Sequence, residues 1–384
     1  VPRSERPAKV AVQWLALLVV PTLVVLVLFE VLIRTTGLEQ MVARQVSKRM
    51  YPVAPGQEMG LFATRVFDPL VSWRLKPDAW LPGKIGYINS LGFVGREFAW
   101  RKTPRTTRIL TLGDSVTYGL WACGRGFCRR NPYPSALELL LWGRTDRDVF
   151  EVIDGGVYGY NSLQGLRYYR AYLGSLDADV VTVMFGWNDH GIVHGLEGRE
   201  PRNAAVRMVA HASEQLATYR TLVGVATLAL MGKDATPQGT VGAYQPRVTL
   251  EDFAYHLEEL VHVARARGTH VVFLTEPYGP DYPPQFQKVG MSLWALDKLD
   301  SYATLIDLHG HYNDQMRAVA ARLGVPLVDV DAEFNRLDKS KLFDPRDYVH
   351  PNETGHALIA DLLYRRLLAE GWIAVPGATV RTTS

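Results

Sequence analysis

Two apolar patterns of different character organise the chain. Residues 10–29 are apolar except at Gln13, Pro21 and Thr22. A helix that is apolar on all sides has no face for water, and a run of this length matches the hydrocarbon thickness of a bilayer, so the pattern predicts a transmembrane helix. Arg3, Arg6 and Lys9 precede it, as in a secretory leader. The stretch is long for a leader, however, and Phe29-Glu30-Val31-Leu32-Ile33-Arg34 offers no small-residue cleavage site. The expectation is an uncleaved signal anchor over 10–33 behind a basic flank at 1–9. Arg34, Arg44, Lys48 and Arg49 beyond the run balance the basic residues before it, so charge alone does not orient the helix.

From about residue 108 the pattern changes to short apolar runs separated by helical periodicity. The runs at 109–112, 149–153, 180–185, 270–275 and 326–330 read as buried strands, and residues 353–370 as the last helix. Such alternation predicts an α/β domain over 108–370, a three-layer α/β/α sandwich on a flavodoxin-like parallel sheet of about five strands. Residues 34–107 are rich in Pro, Trp and Arg without a long period and read as a juxtamembrane stalk with a small, irregular or β-rich cap. Within them Asn89-Ser90-Leu91-Gly92-Phe93 reads as an ordered turn. An insertion at about 190–248 contains the apolar stretch 222–231, too short to cross a bilayer. It reads as a core helix with a surface loop, the alternative being a lid that leans on the membrane or covers a site. Residues 371–384 form a tail.

Composition narrows the class. The 384 residues, 47% hydrophobic and 21% charged, suffice to bury a large core. A formal net charge of +3 without a Lys/Arg block or a basic stripe interleaved with aromatics argues against nucleic acid as a partner.

The candidate chemistry lies in the loops after the strands. Gly113-Asp114-Ser115-Val116-Thr117-Tyr118-Gly119 places a serine where a buried strand gives way to a sharp turn, and ligands of open α/β sheets bind beyond those strand ends. Taken alone it is equally well a helix cap. A serine hydroxyl needs a base, and the base needs a partner to fix its tautomer; Asp347 three residues before His350, in a polar loop ahead of the last helix, supplies both. His356, the nearest rival, falls inside that helix. Asp154-Gly155-Gly156-Val157-Tyr158-Gly159-Tyr160-Asn161 and Gly186-Trp187-Asn188-Asp189 follow two further strands and offer a glycine amide and a side-chain amide as donors.

In this order the four segments closely resemble the SGNH hydrolases, the GDSL-like esterase and acyltransferase superfamily, from about Arg108 to Leu368. The resemblance implies Ser115 as nucleophile, His350 as base and Asp347 as its partner. It further implies an oxyanion hole from the N–H of Ser115, the N–H of Gly159 and the side chain of Asn188. One departure stands out: Asp154 occupies a position where the family usually has asparagine, which leaves the hydrogen bonds of that turn open. The family's substrates vary from acetylated sugars to phospholipids and thioesters. The preferred expectation is an esterase removing O-acyl, chiefly O-acetyl, groups from an envelope or secreted glycan. Alternatives are an O-acyltransferase using the same triad, a lipid esterase or thioesterase and, last, a non-catalytic glycan-binding scaffold. Neither a metal nor an organic cofactor is called for.

Aromatic residues beside the motifs, Tyr118, Trp121, Tyr158, Tyr160 and Trp187, are candidates to line a sugar or acyl site. Cys123 and Cys128, the only cysteines, are spaced for a local disulfide, with free thiols as the alternative, and two ligands are too few for zinc. With the anchor, they place the catalytic domain outside the cytoplasmic (inner) membrane. Protein partners are not indicated.

Overall fold

The structure is a computed structural model that describes residues 6–50, 64–81, 86–123, 126–129, 131–146, 149–191, 200–231, 246–280, 301–345 and 347–375. Side chains are described for all of these except 6–16, 50, 121–123, 126–128 and 230–231. In chain order the elements used below are α1 (Arg6–Thr36), α2 (Leu38–Met50), β1 (Thr107–Gly113), α3 (Ser115–Tyr118), α4 (Tyr133–Trp142), β2 (Phe150–Gly156), α5 (Ser162–Ala171), β3 (Val180–Met184), α6 (Ala204–Glu214), α7 (Ala217–Met231), α8 (Leu250–Arg265), β4 (His270–Leu274), α9 (Tyr302–Leu323), β5 (Leu327–Val328), α10 (Val330–Asn335), β6 (Phe343–Asp344), β7 (Asp347–Pro351) and α11 (Glu353–Ala369).

The chain forms two compact units. The larger holds a five-stranded sheet in the order β2-β1-β3-β4-β5, every neighbouring pair parallel. Helices flank it in three layers, α4 against α11 and α5 against α8, with α8 also against α9. Successive residues of a strand face opposite ways, so a strand covered on both sides reads as an unbroken apolar run. Ile109, Val180, Met184, Val272 and Leu274 accordingly share one cluster with Leu137 and Leu141 of α4 and Ile359, Leu363 and Leu367 of α11. The fifth strand is shorter than the run at 326–330 suggests: the Asp329 side chain accepts the amide of Ala332 and starts α10 at Val330. The Asn89 turn is ordered, with Asn89 Oδ1 accepting the amides of Leu91 and Phe93 at 3.0 and 2.9 Å. The fully buried Arg108 guanidinium donates to Glu151 at 2.6 Å and to the carbonyls of Ala99, Trp100 and Leu176 at 2.6, 2.7 and 2.5 Å, satisfying a cation that burial would otherwise penalise.

The smaller unit contains α1 and α2 together with Phe67–Leu70 and Glu200–Thr236, so α6 and α7 belong with the N-terminal helices. In α1 the twenty residues Leu17–Thr36 have a mean hydropathy of 2.5 and are almost wholly exposed, long and apolar enough to cross a membrane. The first part of the supposed stalk is instead the helix α2, whose Val42 and Val46 are buried with Phe67 beside Leu228 of α7. The stretch 222–231 lies in α7 but is not a core helix throughout: Gly224 and Thr227 are buried, while Leu222 and Val225 are exposed. Glu30 accepts the amides of Ala217 and Thr218, both at 2.8 Å, satisfying two of the orphan donors at the start of α7.

Candidate active site

β1 ends at Gly113, and Asp114 leaves the strand with non-helical dihedrals, its Oδ1 accepting the Val116 amide at 2.9 Å to cap α3. Ser115 is thereby the first residue of a one-turn helix at the carboxyl end of β1, between β2 and β3, where the strand order reverses and open sheets bind ligands. The turn lies so close to β2 that only glycine fits at 156: a Cβ there would stand 2.4 Å from the Tyr118 nitrogen.

His350 reaches the serine from β7. Residues 347–351 were expected in a polar loop; they pair instead with β6, and all five are buried. Asp347 Oδ1 accepts the amides of Val349 and His350 at 3.1 and 3.0 Å, which fixes the carboxylate against the ring. His350 Nδ1 lies 3.0 and 2.8 Å from the two carboxylate oxygens, and Nε2 lies 2.9 Å from Ser115 Oγ. An Nδ1–H donated to the carboxylate leaves Nε2 of the neutral ring as an acceptor pointed at the hydroxyl. Burial alone would raise the Asp347 pKa, but the charge of His350 and the hydrogen bonds from its ring and from the His350 and Val349 amides hold it below the ordinary carboxylate value.

The donor segments converge on the same corner. Asp189 N–H closes a turn on Gly186 O at 3.0 Å, and Asn188 inside that turn donates one amide hydrogen to Asp114 Oδ2 at 2.7 Å. A primary amide has two such hydrogens, so one remains for another acceptor. Gly159 has φ +85°, in the left-handed region that favours glycine, in a turn where Tyr160 N–H donates to Val157 O at 3.2 Å. Asp154, whose turn bonds the sequence left open, accepts the Gly156 amide at 2.9 Å, and its other oxygen takes Arg129 at 2.9 Å.

The aromatic wall is not where the sequence suggested. Tyr118, Tyr158, Tyr160 and Trp187 are all buried, and their rings are spent on core contacts. Tyr118 packs edge-on to Tyr158, Tyr160 donates to Trp73 O, and Trp187 stacks on His309 at 4.1 Å and donates to Pro277 O at 3.1 Å. Rings next to a motif at the end of a buried strand are drawn under the turn by the same burial that holds the turn. The side chains of Trp121, Cys123 and Cys128 lie outside the described ones, and with them the disulfide. His356 is buried and structural: its Nδ1 accepts the Tyr133 amide at 3.3 Å, and burial drives its pKa down to about 3.

Two groups had no signal in the motifs. Glu276, just past β4, is wholly buried, and its Oε2 accepts the Trp187 amide at 2.7 Å. Ser162, the first residue of α5, donates its hydroxyl to Asp189 at 2.5 Å and lies 2.9 Å from His256 Nδ1. A charged residue directly after an apolar strand was a visible hint for Glu276. His256, on the buried face of α8, had none.

The layered parallel sheet with a serine, an imidazole and a carboxylate in line at its carboxyl edge defines the class, an α/β serine hydrolase acting on esters. The GDSL-like Lipase/Acylhydrolase family model matches residues 111–358, more than half of the chain, and the protein belongs to that family. Among solved structures the chain is similar to a lipase/acylhydrolase from Enterococcus faecalis, at 16% identity and a TM-score of 0.44 over 71% of this chain and 100% of that one. It is also similar to LAE5, an α/β hydrolase from the metagenome of Lake Arreo, at 21% identity and 0.41 over 71% and 97%. A third is a catalytic mutant of the acetylxylan esterase Axe2 from Geobacillus stearothermophilus, at 16% and 0.41 over 69% and 96%. No curated protein matches.

Proposed function

We propose that the protein is a membrane-anchored esterase that removes O-acyl, chiefly O-acetyl, groups from an envelope or secreted glycan by way of an acyl-enzyme. The observation that carries the reading is the line Ser115 Oγ, His350 Nε2 at 2.9 Å, His350 Nδ1, Asp347 at 2.8 Å. As Ser115 attacks the ester carbonyl, His350 takes the hydroxyl proton, and the ionised Asp347 stabilises the imidazolium. The N–H groups of Ser115 and Gly159 and the free hydrogen of Asn188 receive the charge that develops on the carbonyl oxygen. His350 returns its proton to the departing alkoxide, then activates a water that releases the acid. The apolar length of α1 supports a membrane span, and the reading places the catalytic domain at the outer face of the cytoplasmic membrane.

The test is a panel of p-nitrophenyl esters and acetylated glycans, assayed with wild type and Ser115→Ala. Release of acetate from glycan by wild type alone is the expected result. Equal turnover by Ser115→Ala removes the nucleophile assignment, and turnover confined to long-chain esters moves the substrate to lipid. Transfer of acetyl to an added acceptor glycan in place of free acetate makes the protein a transferase.

A further inference from the structure

Three strand ends meet beneath the nucleophile turn, and each brings a polar group into a space closed to water. β1 brings Asp114, the turn after β3 brings Asn188, and the residue after Leu274–Thr275 is Glu276; Asp114 and Glu276 are both fully buried. The main chain of Glu276 is held on two sides. Its amide donates to Asn313 Oδ1 at 2.9 Å, and its carbonyl accepts from Asn313 Nδ2 at 2.9 Å and His309 Nε2 at 2.8 Å. The side chain therefore leaves the backbone in a set direction, towards Trp187 N–H and Asp114.

We propose that Glu276 is a positioning residue for the oxyanion site: its carboxylic acid donates a hydrogen bond to Asp114, and Asp114 in turn holds the side-chain amide of Asn188. The inference rests on the reading of Asn188 as an oxyanion donor.

The donor and acceptor count leads there. Asp114 and Glu276 are both wholly buried and face one another, and two carboxylates have no hydrogen between them to share, so a hydrogen bond between them requires one of the pair to be an acid. Burial raises the Asp114 pKa, but Oδ1 accepts the Val116 amide and Oδ2 the Asn188 amide, two donors that oppose the rise and favour its anion over that of Glu276. Glu276 accepts one amide, at Oε2, and faces the negative charges of Asp114 and Asp189. Its Oε1 accepts from no neighbouring donor, which leaves that oxygen open to carry a hydrogen. The proton belongs on Glu276. Burial, the charge of Asp114 and the hydrogen bond to it all push the Glu276 pKa well above the ordinary carboxylate range. The arrangement gives Asn188 an anchor that cannot rotate. Its first amide hydrogen is committed to an anion, so the amide plane and the direction of the second hydrogen are set before substrate arrives. A preorganised donor needs no reorientation as charge develops.

The experiment uses the full-length chain and p-nitrophenyl acetate, with kcat, KM and thermal melts for Glu276→Leu, Glu276→Gln, Asn188→Ala and the double variant Glu276→Leu/Asn188→Ala. Glu276→Leu removes the donor and should lower kcat by about 10- to 100-fold, the scale on which small misplacements act, with KM within about twofold. Glu276→Gln can accept from Trp187 through its oxygen and donate to Asp114 through its amide, and should recover most of that loss. The double variant should be no slower than Asn188→Ala alone, because residues acting through one contact are not additive. A wild-type kcat for Glu276→Leu, a glutamine variant as slow as the leucine one, or losses that multiply in the double variant each overturn the proposal. Should Glu276→Leu fail to fold, infrared spectroscopy decides: at pH 7 the wild type should show the carbonyl stretch of a protonated carboxylic acid that Glu276→Gln lacks, and its absence overturns the proposal. A normal kcat for Asn188→Ala refutes the oxyanion reading itself, whereas a slow Asn188→Ala beside a normal Glu276→Leu refutes only the role of Glu276.

Discussion

Two corners of the sheet contain the same three residue types, joined in a different order. Ser115 and Ser162 each open a helix, behind Asp114 and Asn161 as caps, and each touches a buried histidine and lies near a buried aspartate. At Ser115 the histidine stands between: Asp347 holds Nδ1, leaving Nε2 to receive the hydroxyl proton. At Ser162 the serine stands between. Its one hydrogen goes to Asp189, which also accepts its backbone amide at 2.9 Å, and its oxygen faces Nδ1 of His256. With its hydrogen spent on Asp189, Ser162 presents to His256 its oxygen and not its proton. The order of the three groups, more than their identity, separates the serine proposed as nucleophile from the one that clamps its corner.

The largest effect that tests this contrast is on turnover. Ser115→Ala and His350→Ala should each lower ester hydrolysis by several orders of magnitude, since members of such a unit fail together, while Ser162→Ala should keep kcat within a few-fold of wild type. A collapse of kcat in folded Ser162→Ala would erase the distinction between the corners. Next in size, Asn188→Ala should slow acyl transfer by about 10²- to 10³-fold, mainly in kcat, because the lost donor acts on the developing charge. A change confined to KM or thermal stability would make Asn188 a loop-shaping residue.

The Ser162 corner should reveal itself in stability. Ser162→Ala takes a hydroxyl donor from a buried carboxylate and should cost about 1–3 kcal/mol in denaturant melts. Loss of less than the error of such melts would mean that the clamp contributes nothing.

A further effect at the Ser162 corner is on pH dependence. Burial, opposed by hydrogen bonds from Ser162, raises Asp189 from 3.8 to about 7. A carboxyl whose folded pKa lies above its unfolded value binds its proton more tightly when folded, so its contribution is full below about pH 4 and is lost as pH rises through about 7. The stability of wild type relative to Asp189→Asn should therefore grow as pH falls from about 7 to 4. A difference that stays flat over that window would show that Asp189 is not proton-linked to folding.

Much of this was readable from local sequence. A glycine-flanked serine after an apolar run marks a strand-to-helix turn wherever it occurs, and Asp347 can reach His350 because three residues on a short strand suffice to bring a carboxylate to a ring. The apolar run of α1 and the five strands were visible for the same reason, since burial on all sides dictates composition residue by residue. Helix α2 was missed because Val42 and Val46 are apolar positions whose partners, Phe67 and Leu228, lie far along the chain. The aromatic residues were misplaced because adjacency to a loop does not say whether a ring turns outwards or under the sheet. Glu276, Ser162 and His256 had to await the strand order, which brings β4 beside β3 and β3 beside β1. Local patterns specify what a residue and its neighbours can do. Which donor meets which acceptor across the sheet, and hence which serine has an imidazole Nε2 beside its hydroxyl, was decided only by tertiary packing.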